Sequence, residues 1–142
     1  MKIIDANVLI YAVTTRAPHH REAQRWLDAA LGDSDVLGFD WLVITAFIRV
    51  TTNPKLSFNP LSPELATKLI EDWLAQPAAI LIHPTDRHVA IMRDLLRPLG
   101  TGGNLVNDAH LAALAIEHGA TICSFDNDFS RFAGVRWISP AA

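Results

Sequence analysis

Four aspartates stand where strands and helices are expected to end or begin. Asp5 follows the strand-like triplet Lys2-Ile3-Ile4, and Asp108 opens a helical segment. Asp126 and Asp128 close "TICSFDNDF", residues 121–129. Like charges one residue apart repel and raise each other's pKa, so keeping them together calls for compensation. Capping of free backbone N–H groups is one compensation, since Asp favours turns and helix N-termini. Taken jointly, Asp5, Asp108 and Asp126 form a second pattern. Carboxylates with no matching set of Lys or Arg are costly unless a cation neutralises them, and hard oxygen ligands select Mg²⁺ or Mn²⁺. Such an ion holds a phosphate oxygen and lowers the pKa of a bound water, which is the chemistry of phosphodiester hydrolysis. Asp128 would assist or cap the short helix that follows.

Hydrophobic patterning yields the elements that must gather these residues. Residues 2–4 read as a strand, and 8–13 as a helix entered through a turn around Asn7. An i, i+3, i+4 stripe of Ala23, Trp26, Leu27, Ala30 and Leu31 predicts a helix from Pro18 to Leu31, stopped by Gly32. A strand over 36–39 precedes a helix from Trp41 to Thr51, with Asp40 as its cap. Ser62-Pro63 is an N-cap with proline at the first helical position. "AAILI", residues 78–82, reads as a fully covered parallel strand, and Asp86 as the cap of a helix with Val89, Met92, Leu96 and Leu99 inward. "GTGGN", residues 100–104, lacks the lysine of a P-loop and the third glycine of a dinucleotide fingerprint, so it is a connection. A helix over 107–118 ends at Gly119, and strands at 121–125 and 135–138 complete the chain. Alternating strands and helices predict an α/β sandwich with a mainly parallel central sheet and one domain over residues 1–142. In such a sheet ligands bind beyond the carboxyl ends of the strands, where the three aspartates would converge.

Composition excludes several classes. Half the residues are hydrophobic and 19% are charged, which is globular rather than disordered. No apolar run reaches the ~20 residues a membrane span needs. Lys2 and Asp5 interrupt any secretory signal, so a cytoplasmic location is expected. Cys123 is the only cysteine, which rules out an intramolecular disulfide and a cysteine-built zinc site. The histidines at 19, 20, 83, 88, 110 and 118 match no metal-binding spacing and read as ordinary helix and loop residues. With a net charge of -3 the chain exerts no long-range pull on nucleic acid. Contact with nucleic acid would be local, and Arg49 with Lys55, and the i, i+4 pair Arg21 and Arg25, are the candidate phosphate ligands. The tryptophans at 26, 41, 73 and 137 fit core stripes, with Trp41 also near a strand end.

"IIDANVLIYA", "AFIRVTTNP", "LSPELATKLIEDWLAQP", "NDAHLAALAIEHGATICSFDNDFSRF" and "WISP" together resemble a PIN domain of the VapC toxin type, in the subgroup abundant in mycobacteria. The similarity spans nearly the whole chain. It implies a PIN-like three-layer α/β/α sandwich and a Mg²⁺-dependent endoribonuclease, with Mn²⁺ as a substitute. It also implies the toxin role in a type II toxin–antitoxin pair, a VapB-type antitoxin partner and a homodimer. By position, Asp5, Asp108 and Asp126 would be the metal-binding and catalytic carboxylates, and Asp128 a neighbouring assistant. Many PIN domains carry Glu where this chain has Ala46, so the second acid is absent from that helix turn. Two other readings follow. A haloacid-dehalogenase-type phosphatase would want an acid at Asn7. A PIN fold that binds RNA or its antitoxin while cutting poorly is consistent with Ala46.

Overall fold

The computed structural model describes residues 1–141. Five strands form one all-parallel sheet: β1 Lys2–Ile4, β2 Leu37–Phe39, β3 Ala79–Leu81, β4 Thr121–Cys123 and β5 Arg136–Ile138, in the order β3-β2-β1-β4-β5. Six helices connect and cover them: α1 Ala6–Val13, α2 His20–Leu31, α3 Trp41–Thr52, α4 Pro63–Leu74, α5 His88–Leu96 and α6 Val106–His118. The chain winds outward from β1 to β2 and β3, then crosses to β4 and β5 on the other side. That reversal makes the gap between the carboxyl ends of β1 and β4 the topological switch point, where parallel sheets bind ligands.

Ile3, Ile4, Leu37, Phe39, Ile122 and Cys123 in the three inner strands are sealed from solvent, as expected for strands covered on both faces. Gly38 in β2 is packed closely, because a Cβ there would meet the Ile82 side chain at 3.2 Å. Helix α6 lies deepest: Leu111, Ala112, Ala113, Leu114 and Ala115 are all buried, and small alanines let it approach its neighbours. It ends as its sequence dictates, at Gly119 with φ 63°.

Several local expectations fail. β3 is an edge strand with Ile80 and Leu81 more than a third exposed, because no strand lies beyond it. Val89 is 78% exposed on α5, so it is not part of that helix's inward stripe. Nor does Asp86 cap α5: Arg87 holds the cap position, and its N–H is taken by the Thr85 hydroxyl at 3.2 Å. Trp41 is half exposed at the start of α3, whereas Trp26, Trp73 and Trp137 pack against the core. Asp40 caps α3 as expected, accepting from the Leu42 N–H. Among the described residues no helix is long and apolar enough to cross a membrane.

Candidate active site

Asp5 leaves the end of β1 and caps α1, its Oδ1 accepting the Ala6 N–H at 2.7 Å. Its other oxygen accepts the Ser124 hydroxyl at 2.6 Å. Ser124, fully buried just past β4, also accepts from Asn7 Nδ2 at 3.0 Å and from the Asp126 N–H at 2.9 Å. One donor and two acceptor positions saturate a hydroxyl, so Ser124 is fully used in tying Asp5 to the turn that carries Asp126. Asn7 completes the tie by accepting the Phe125 N–H through Oδ1 at 3.2 Å. Asn7 therefore belongs to a hydrogen-bonded bridge between α1 and the β4 turn rather than only to a local turn. Sequence reasoning passed over Ser124. Its only signal was a serine two residues ahead of a turn aspartate.

Asp126 caps the short 3-10 helix Asn127–Arg131 by accepting the Asp128 N–H, so the capping role expected of Asp128 belongs to Asp126. Asp128 instead lies 3.8 Å from Arg131 in a half-exposed ion pair. Asp108 sits in the first turn of α6. Carboxylate oxygens of Asp108, Asp126 and Asp128 all lie within 4.8 Å of one another. Asp5 is outside that trio, its two oxygens being held by the Ala6 N–H and the Ser124 hydroxyl.

Charge nonetheless links all four. Burial raises the Asp108 carboxyl first, the charges of Asp126, Asp5 and Asp128 add to it, and a hydrogen bond with Asp126 favours the acid form. The result is a pKa pushed up to about 7. Asp5 is also raised, by burial above all and by the charge of Asp126, against the Ser124 and Ala6 hydrogen bonds that lower it. Hard oxygen donors crowded closely enough to raise the Asp108 carboxyl to about 7 fit a small divalent cation such as Mg²⁺ or Mn²⁺.

Beside these carboxylates runs a groove of about 450 Å³ whose lining includes Asp5, Asp108, Thr45, Ala46 and Arg49. Of the four cations expected to meet RNA, only Arg49 lines it. Lys55 is exposed in the turn after α3, and Arg21 and Arg25 are exposed on α2.

A second polar group went unseen in the sequence. Asp40 Oδ2 lies 2.9 Å from His110 Nε2, His110 Nδ1 lies 2.8 Å from His88 Nε2, and His88 Nδ1 lies 3.0 Å from Glu117 Oε2. His88 and His110 are therefore not ordinary helix residues; they bridge α3, α5 and α6. No spacing rule finds this chain, because its members come from distant segments.

Residues 2–135 match the PIN domain family. The chain is 54% identical over 142 residues to Ribonuclease VapC37 of Mycobacterium tuberculosis, covering 100% of this chain and 99% of that protein. It is 37% identical to Ribonuclease VapC33 of the same species, covering 99% and 98%. The fold superposes on VapBC2 from Rickettsia felis, a structure bound to a DNA fragment from their promoter, with a TM-score of 0.71 at 17% identity. That match covers 97% of each chain. The α/β/α architecture thus has the relatives that the sequence motifs implied, and the chain belongs to the VapC ribonuclease family of PIN domains.

Proposed function

We propose that this protein is a Mg²⁺- or Mn²⁺-dependent endoribonuclease, the toxin of a VapBC type II toxin–antitoxin module. In this reading it acts in the cytoplasm as a homodimer, cleaves RNA so as to inhibit translation, and is held inactive by a VapB-type antitoxin. The observation that carries the chemistry is the crowding of carboxylates at the β1/β4 switch point, which drives Asp108 up to about 7. The names of the full-length relatives, ribonucleases VapC37 and VapC33, support RNA as the substrate.

Asp5, Asp108 and Asp126 would hold the ion, with Asp128 assisting. When bound, such an ion supplies Lewis acidity, lowering the pKa of water and stabilising charge on the leaving oxygen. The protein's own groups do the rest. Ser124 and the Ala6 N–H hold the Asp5 carboxylate in one orientation. Asp108 would serve as a ligand only in its ionised form, so its proton would pass to the solvent. Hydrolysis forms a P–O bond from water, breaks one P–O ester bond and returns a proton to the leaving sugar oxygen.

Ala46 favours a second reading, a PIN fold that binds RNA or antitoxin and cuts poorly, since α3 supplies no carboxylate to the groove. Incubating total cellular RNA with antitoxin-free protein separates the two. Cuts that need Mg²⁺ or Mn²⁺, vanish in EDTA and vanish in Asp108→Asn support the nuclease. Equal survival of RNA with wild type and variant favours the binding module.

A further inference from the structure

The groove has two unlike walls. One carries Asp5 and Asp108; the other is the face of α3 with Leu42, Thr45, Ala46 and Arg49. Arg49 is the sole charged residue that α3 contributes, it is exposed in the helix's last turn, and no carboxylate of the described residues pairs with it. An arginine left without a protein anion beside a site that handles phosphate is available to a phosphate. Its planar fork matches two phosphate oxygens at once.

Ala46 explains why Arg49 is free. The two are i, i+3 neighbours on α3 and so share a face. A glutamate at 46 would lie beside the guanidinium and pair with it, cancelling its charge toward RNA. With alanine the guanidinium keeps its charge toward the groove, and the α3 wall is basic where a glutamate at 46 paired with Arg49 would leave it neutral.

We propose that Arg49 is the phosphate-binding cation of this groove, unmasked by Ala46. It would seat the RNA backbone opposite a single divalent-ion site on the aspartates. This rests on the nuclease reading above. Arg49 touches substrate in this scheme and supplies, from the protein, positive charge that a second ion would otherwise bring.

The test measures binding apart from cleavage, using fluorescence anisotropy of a fluorescein-labelled single-stranded RNA of mixed sequence in EDTA, from about 50 to about 200 mM salt. Arg49→Ala is expected to weaken binding several-fold and to reduce the slope of log affinity against log salt by about 0.7, the value for one phosphate contact to a single strand. Ala46→Glu should do the same with Arg49 still present, Arg49→Lys should keep the slope, and Arg21→Ala on α2 should leave it unchanged. Titration of wild type with Mn²⁺, followed by electron paramagnetic resonance, should give one ion per chain. An unchanged slope in Arg49→Ala, or two Mn²⁺ ions per wild-type chain, overturns the proposal. Cleavage by wild type in Mn²⁺ is read separately. If wild type cuts RNA but the slope is indifferent to Arg49, the inference fails alone. If the slope responds and wild type never cuts, the nuclease reading fails and the phosphate contact stands.

Discussion

Two groups of acids meet at helix α6, and they are built on opposite principles. Toward Asp40, α6 contributes His110 and Glu117 to a chain in which each carboxylate faces an imidazole nitrogen: Asp40 against His110, Glu117 against His88. A carboxylate only accepts, so each outer ring nitrogen must donate to it. Toward the β1/β4 switch point the same helix contributes Asp108, which faces other carboxylates. The consequences diverge: Glu117 is lowered, because hydrogen bonds from Thr85 and His88 outweigh the burial that would raise it, whereas Asp108 is raised to about 7. Partnered acids fasten helices together. Acids left to repel one another store a demand for a cation, which is why the second group is the one proposed to do the chemistry.

The strongest way to break this comparison is Asp108→Asn. It removes the most frustrated carboxylate, so RNA cleavage should drop at least about a hundredfold, the rate equivalent of several kcal/mol of lost charge stabilisation. The same change should stabilise the ion-free protein near neutral pH, because it relieves repulsion. A variant that loses cleavage and also melts earlier would contradict the assignment.

Ser124→Ala comes next. It leaves every carboxylate in place but removes the hydroxyl that fixes Asp5 and accepts the Asp126 N–H. Groups that orient metal-binding side chains commonly account for about 10–100-fold in metal affinity. Weaker Mn²⁺ binding by calorimetry with the fold intact is the expected result, and unchanged affinity would reduce Ser124 to a packing residue.

His110→Ala tests the partnered group. It strips Asp40, 3% exposed, of its imidazole and leaves His88 Nε2 facing a void, at a cost of about 1–3 kcal/mol in denaturant unfolding. A loss near zero would mean that the Asp40 contact to the Leu42 N–H suffices by itself.

These two groups also mark what the sequence could and could not disclose. Elements bounded by strong local signals were legible: Ser62-Pro63 before α4, Gly119 after α6, Asp40 before α3. That aspartates would approach one another at the switch point was legible too, because strand ends in a parallel sheet converge there; that the closest trio includes Asp128 and leaves out Asp5 was not. The edge position of β3 was not, since "AAILI" is apolar enough for a covered strand and exposure depends on which strand the chain adds last. The histidine chain was hidden for a similar reason. Its contacts span 70, 22 and 29 residues and follow from how α3, α5 and α6 pack.

The smallest expected effects are in the pH dependence of stability, where the two groups pull in opposite directions. Asp108 binds its proton more tightly folded, near 7, than at its ordinary 3.8. Between those values the native state holds the extra proton, so the ion-free protein loses stability as pH rises from about 4 to about 7, and Asp5 acts in the same sense. Glu117 is lowered from 4.5, so its contribution is complete above that value and is lost as pH falls through the folded pKa. Asp35, lowered to about 2 by the N-terminal amine and Lys2, adds to the same acid limb. Thermal melts of the ion-free protein should therefore peak near pH 4 to 5 and decline on both sides. Saturating Mn²⁺ should flatten only the neutral limb, since a ligand that binds the native carboxylates stabilises by mass action where protons no longer do. Glu117→Gln should shrink only the acid limb. If Mn²⁺ raised melting temperature equally at pH 4 and pH 7, the cation would be binding somewhere other than the crowded aspartates.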